Sequence, residues 1–385
     1  MRPRCSLSSL QSVSGLLSFC RSGIPAILVF VLASPAGLKS QRIHAEFDSL
    51  SSRELVPQRG QTTSPLIEKE LRLAGDYLIG RGVPKDPVQA AYWYRKAADQ
   101  GDPGAQNQLG YLYTWGIGVE RNQAEAFRWY ARAAGSGSQA AKLNLAVLYY
   151  RGVGTARDVS LAVQMLHELA EKGDPRAQAY LGIVELAGAV VPRDPRAGEK
   201  WLSKAAKAKN PEAEQTMGVL WAFTSDHPRD LTKAVKLFRH AARQGYVPAM
   251  HALGILLEQH PEIAPNPPDE AIVMLERAAQ AGSWKSSALL GTFARDGHER
   301  PQSFADAFRW FTIAQKQGGA AAERLTNANL DRCRQSLTAA QQNEELAAAD
   351  AWLALHPHTD VYAFSASGVS NYPIDEVYAA RSGAE

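Results

Sequence analysis

Apolar and small residues recur along most of the chain at helical spacing, in two alternating kinds of segment. One kind reads "AQNQLGYLY" (105–113), "AKLNLAVLY" (141–149), "AQAYLGIVE" (177–185), "AEQTMGVLW" (213–221) and "AMHALGILL" (249–257). Its apolar and small positions fall at i, i+4, i+5 and i+8, one face of a helix. The other kind, "AAYWYRKAA" (90–98) or "AFRWYARAA" (126–134), carries its own helical stripe. It begins at Asp86, Asn122, Asp158, Asp194, Asp230 or Ser303, residues that accept the orphan N–H groups of a first turn. Gln89, Glu125 and Asp306, three residues on, suggest partial capping boxes. The glycines closing these segments predict left-handed C-caps. Copy six departs from the pattern, with Pro267 at the cap position in a longer, proline-rich loop.

The segments repeat in register. Ala97-Ala98 returns as Ala133-Ala134, Leu169-Ala170, Ala205-Ala206, Ala241-Ala242, Ala278-Ala279 and, in type, Ile313-Ala314. The step is 36 residues with one step of 37, and seven copies are in phase. A period of this length marks a repeat array. Trp93, Trp129, Met165, Trp201, Leu237, Met274 and Trp310 form one column. Lone helix pairs cannot bury their apolar faces, so this column is expected to fill the space between copies. Gly110 and Ala98 are expected where helix axes approach to about 8 Å.

The stretch "LGYLYTWGIGVERNQAEAFRWYARAA" (109–134) resembles the Sel1-like repeat (SLR) family, a longer-looped relative of the tetratricopeptide repeat (TPR). The residues that carry the resemblance are the turns Gly80-Arg81-Gly82-Val83 and Gly116-Ile117-Gly118-Val119, with Gly152 and Gly154 in copy three. Copies four to seven depart from the turn motif, keeping one glycine (Gly188, Gly297) or none. The resemblance covers about residues 66–333. It implies an all-α fold: a right-handed α-solenoid of about seven antiparallel helix pairs that binds proteins or peptides, often at membranes or in the bacterial envelope. It does not by itself imply a chemistry. One branch of the family is cysteine-rich and includes proteins described as penicillin-binding. The repeats here lack those cysteines, and an envelope enzyme or a β-lactam- or peptidoglycan-binding protein of that kind stands as the alternative reading.

Composition sharpens this picture at the ends. The net charge is +3, and the whole excess lies in the first 36 residues, which hold Arg2, Arg4 and Arg21 and no acidic residue. The remainder has 39 basic and 39 acidic residues, so charge makes no case for nucleic-acid binding. The basic residues precede "IPAILVFVLASPAG", about half the apolar length a membrane span needs. Residues 1–36 are expected to be a secretory signal peptide, with an uncleaved anchor as the alternative. The expected location is therefore exported, periplasmic or secreted, or membrane-anchored if that segment stays. Residues 37–64 are expected to be a flexible linker, 65–333 the solenoid, 334–355 a polar-faced capping helix and 356–385 a disordered tail. Beyond the N-terminal segment only Cys333 remains, expected to be buried and to form no internal disulfide.

Candidate chemistry is sparse. The nine histidines lack zinc-site spacing, and the glycine-rich stretches join helices rather than cradling phosphates. Neither catalytic residues nor a metal or cofactor is expected, and the partner is expected to be a protein or peptide. In TPR-like solenoids the first helix of each pair lines the concave face, and the resemblance places it so here. Its positions off the apolar stripe are Gln106, Asn107 and Tyr111 in copy two, and Lys142, Asn144 and Tyr149 in copy three. Amides both donate and accept, and tyrosine adds contact area with a polar tip, which suits an extended peptide.

Overall fold

The computed structural model describes residues 64–188, 194–223, 228–263, 269–297 and 301–356. Among them are sixteen α-helices, one 3-10 turn (Pro261–Ile263) and no strand. The expected signal peptide, nearly all of the linker, and the tail beyond His356 lie outside the described residues, as does Pro267.

The first helices of the seven pairs are α1 (Pro65–Ile79), α3 (Pro103–Trp115), α5 (Gln139–Arg151), α7 (Pro175–Ala187), α9 (Pro211–Phe223), α11 (Val247–Gln259) and α13 (Trp284–Asp296). The second helices are α2 (Pro87–Asp99), α4 (Gln123–Gly135), α6 (Val159–Glu171), α8 (Pro195–Lys207), α10 (Leu231–Arg243), α12 (Asp269–Gln280) and α14 (Phe304–Gly318). Two further helices follow, α15 (Ala320–Gln335) and α16 (Ala339–Leu355). Each helix packs on the next one in sequence up to α15. First helices of successive copies also touch, α7 with α9 and α9 with α11. They therefore form the inner layer of an all-α solenoid.

Caps and turns follow the local chemistry. Asp86 accepts from Val88 and Gln89 N–H, Asn122 from Ala124 and Glu125, and Asp158, Asp194, Asp230 and Ser303 do the same for their helices. Glu125 pairs with Arg128, and the full capping box is at Thr338 and Gln341 of α16. In the turns the two glycines do different jobs. Gly116 is left-handed at the C-cap of α3 (φ 70°). A Cβ on Gly118 would lie 1.9 Å from the Pro87 carbonyl oxygen, so this glycine lets the turn sit on the start of the preceding copy's second helix. Loop side chains close the other ends. Gln123, Arg157, Arg229 and Gln302 donate to the carbonyls of Thr114, Tyr150, Ala222 and Arg295.

The core differs from the expected tryptophan column by one residue. In five second helices the most buried position is the next one along, Tyr94, Leu202, Phe238, Leu275 and Phe311, whereas in copies two and three the column residues Trp129 and Met165 are buried as well, beside Tyr130 and Leu166. Within a pair, this side chain lies against a glycine of the first helix. A Cβ on Gly110 would be 2.8 Å from the Tyr130 ring, and Gly182, Gly218, Gly254 and Gly291 meet Leu202, Phe238, Leu275 and Phe311 alike. Trp129 is buried among copies one and two, with the guanidinium groups of Arg95 and Arg132 over its ring. Trp93, which has only α1 before it, is partly exposed.

The C-terminal end is also arranged otherwise than expected. Helix α15 stands where an eighth first helix would, but Asn327 occupies the place of Gly110 and is exposed, bonded back to Gln315. Glu323, Arg324 and Asp331, one turn away on either side, are exposed with it. This polar face gives no seat for an apolar partner helix, so α15 is the cap. Helix α16 lies on α14 instead, through Arg309 to Glu345, Lys316 to Asp350 and Trp310 edge-on to Trp352. Cys333 is buried between α15 and α14, and burial pushes its thiol up to about 11.

Candidate functional site

On a first helix, three sides are taken by its own second helix, the preceding second helix and the neighbouring first helices. What remains is a narrow inner row. In α3 that row is Gln108, Tyr111 and Trp115, at i, i+3 and i+7, each partly exposed. In α5 it is Asn144, Val147 and the exposed Arg151. Gln108, Trp115, Val147 and Arg151 lie outside the expected set. The 36-residue register identifies them, because Asn144 is the counterpart of Gln108 and Val147 of Tyr111.

The six expected residues are placed unequally. Gln106 is buried, and its side-chain NH₂ donates to the Ala98 carbonyl at 3.1 Å. Gln178 repeats this on Ala170 at 3.0 Å. Both satisfy the last turn of the preceding second helix, which removes Gln106 from the surface. Lys142 pairs with Glu168 on its own second helix. Lys142 and Lys172 together hold the Glu168 carboxyl down at about 2. Tyr149 packs edge-on to Phe127 (5.4 Å between centroids) and joins two core clusters. Tyr111 packs against the clusters on both sides and is tilted against Trp115 at 6.3 Å. Asn144 donates to the Asn107 side-chain carbonyl at 3.0 Å, linking copies two and three. Tyr111, Asn107 and Asn144 thus flank one polar and aromatic strip with Gln108 and Trp115.

The strip does not continue. In α11 the corresponding row is Ala252 and Ile255, both buried, then Gln259. His251 stands where α3 has Asn107 and is buried, with its Nδ1 2.8 Å from the Ser286 hydroxyl. In the C-terminal copies Val219, Phe223, Ile255 and Leu289 close the inner side with apolar contacts. Among the described residues no group of three or more His, Cys, Asp or Glu is placed to hold a metal ion. No described helix is long and apolar enough to cross a membrane.

Known proteins resemble the chain in this architecture. A model of the Sel1 repeat matches seven times, at residues 70–102, 103–138, 139–174, 175–210, 217–246, 247–283 and 285–319. A Sel1 repeat protein from Oxalobacter formigenes superposes with a TM-score of 0.55 at 25% identity, over 65% of this chain and 99% of that one. A protective antigen of uropathogenic Escherichia coli displaying an SLR fold is 25% identical, with a TM-score of 0.40 over 80% of this chain and 72% of that one. An immunity protein from Pseudomonas aeruginosa is 18% identical, with a TM-score of 0.41 over 56% of this chain and 77% of that one. No curated protein matches the chain.

Proposed function

The chain belongs to the Sel1 repeat family, and from that premise we propose that it is a non-enzymatic adaptor whose inner face in copies two and three takes an extended segment of a partner protein. Sel1 repeat proteins generally mediate protein–protein interactions. The observation that supports this site is the contrast along the inner row. Gln108, Tyr111, Trp115 and Asn144 stay partly exposed, whereas Ala252 and Ile255 are buried. Amides and tyrosine can pair with peptide N–H and C=O groups while an aromatic ring covers a side chain. Placement in the cell envelope is part of the same proposal, and what supports it is the apolar run behind Arg2, Arg4 and Arg21.

Site-specific photo-crosslinking in the host tests the face. A crosslinker at Gln108 should give a discrete adduct, one at the exposed outer residue Arg128 should give none, and Asn107→Ala/Asn144→Ala should abolish the first. Removing both amides leaves no orphaned partner, so circular dichroism and melting should be preserved. Adducts from Arg128 but not from Gln108 would overturn the reading.

A further inference from the structure

The outer faces of α8 and α10, second helices one repeat apart, carry a row of cations of which α6 has none and α12 keeps one, Arg277 at the place of Lys204. On α8 they are Arg196, Lys200, Lys204 and Lys207, with Lys209 just beyond. On α10 they are Lys233, Lys236 and Arg243, and all eight are exposed. The register shows how sharply the stripe is bounded. Where α8 has Arg196, Lys200, Lys204 and Lys207, α6 has Ser160, Gln164, Glu168 and Glu171. Where α10 has Lys233, Lys236, Arg239 and Arg243, α12 has Glu270, Val273, Glu276 and Gln280.

Several surface cations elsewhere are paired, as in Arg81 with Asp76, Arg128 with Glu125, Lys172 with Glu168 and Arg334 with Asp331. Those unpaired among the described residues, such as Lys69, Lys85 and Arg332, are scattered along the chain rather than gathered in a row. Within the stripe, Lys204 and Lys233 lie over the rings of Trp201 and Trp221, at 4.0 and 3.3 Å from the centroids. Arg196, Lys200, Lys207, Lys209, Lys236 and Arg243 have no ion-pair partner among the described residues. Lys209 adds an independent sign. Among the described residues it is the non-glycine residue at positive φ (60°), where Gly101, Gly137, Gly173, Gly245 and Gly282 stand in other copies. A side chain there costs about 1 kcal/mol or more, so the cation is kept against the local backbone preference.

We propose that this stripe is a second docking surface, for a carboxylate-rich segment of a protein partner. It is separate from the inner face and does not depend on it. Size selects the occupant. From Arg196 to Lys207 the row runs about 17 Å, and two helices side by side are about 20 Å across. A single acidic helix or extended segment fits within that width and meets cations from both rows. A bilayer or a nucleic-acid duplex extends far beyond it, onto flanks where Glu168 is already paired with Lys142 and Lys172 and Arg239 with Glu270, leaving little free positive charge for it to meet.

Fluorescence anisotropy of the whole protein with a glutamate-rich peptide of about twelve residues, enough to exceed the row in extended form, tests this. Binding should weaken as salt rises. Lys200→Gln/Lys207→Gln/Lys236→Gln/Arg243→Gln should weaken it about tenfold or more, while Lys69→Gln/Arg72→Gln/Lys85→Gln/Arg332→Gln, an equal charge change elsewhere, should alter it less than about twofold. Circular dichroism should show both variants folded. Asn107→Ala/Asn144→Ala should bind the peptide normally, which separates this surface from the inner face. Equal loss in both charge variants would overturn the proposal. So would tighter binding to phosphatidylglycerol-containing vesicles or to duplex DNA than to the peptide.

Discussion

Helices α3 and α11 occupy the same place four repeats apart, yet one is six-thirteenths buried and the other ten-thirteenths. Both keep Ala, Leu and Gly where the second helix crosses: Ala105, Leu109 and Gly110 against Ala249, Leu253 and Gly254. They differ on the inner row. Gln108, Tyr111 and Trp115 face Ala252, Ile255 and Gln259 in register. Helix α9 touches the first helices on both its sides, including α11, and the row closes there over apolar side chains. The crossing of a pair is thus common to all copies. Whether a copy offers a surface or adds to the core is decided by a few residues on the inner row.

The largest effect should come from the shared crossing. Phe238→Ala, at a completely buried ring against Gly218, is expected to cost about 3–5 kcal/mol in denaturant unfolding. Trp129→Ala should approach that, because the ring is 3% exposed between copies one and two. A midpoint unchanged in either variant would show that the crossings do not carry the stability.

The comparison itself is sharpened by truncating one row position in two copies. Ile255→Ala should cost about 2–4 kcal/mol, and Val147→Ala, its counterpart in an open copy, about 1 kcal/mol or less. Equal costs would mean that the row is equally buried throughout. Lys209→Gly should raise stability by about 0.5–1 kcal/mol by relieving the left-handed side chain, net of glycine's entropy. It should also weaken binding of the acidic peptide.

The smallest effect is electrostatic. Lys142 and Lys172 hold the Glu168 carboxyl at about 2, below the ordinary 4.5. A depressed carboxylate adds stability that is complete above its unfolded value and fades as pH falls through its folded value. The difference in melting temperature between wild type and Glu168→Gln should therefore be largest near neutral pH and vanish between pH 4.5 and 2. It should also shrink in high salt, because the group is exposed. A difference independent of pH would mean the pair is not formed in solution.

Much of the architecture was legible because its causes are local. Helical periodicity, Asx and Ser caps and the first turn glycine each act within a few residues, and the 36-residue register repeats them. The same register contains the basic stripe, which becomes visible when α8 is set against α6 and α10 against α12. The candidate site was less legible. Gln106 looks like a surface amide in a polar stretch, but the Ala98 carbonyl claims it because the preceding helix ends there. Lys142 and Tyr149 were taken up in the same way by Glu168 and Phe127.

By itself the sequence determined that the chain forms about seven similar helix pairs, where each begins and ends, and which face of each is apolar. Those properties follow from backbone capping and side-chain spacing within a single pair. Tertiary structure alone decided that Tyr130 rather than Trp129 seats on Gly110, that α15 caps the array while α16 turns back onto α14, and that the inner row is open in α3 and closed in α11. These depend on the rotation of one copy against the next. That rotation is set by packing between residues some 36 positions apart, whose individual preferences do not state which of two neighbouring side chains will meet the adjacent helix.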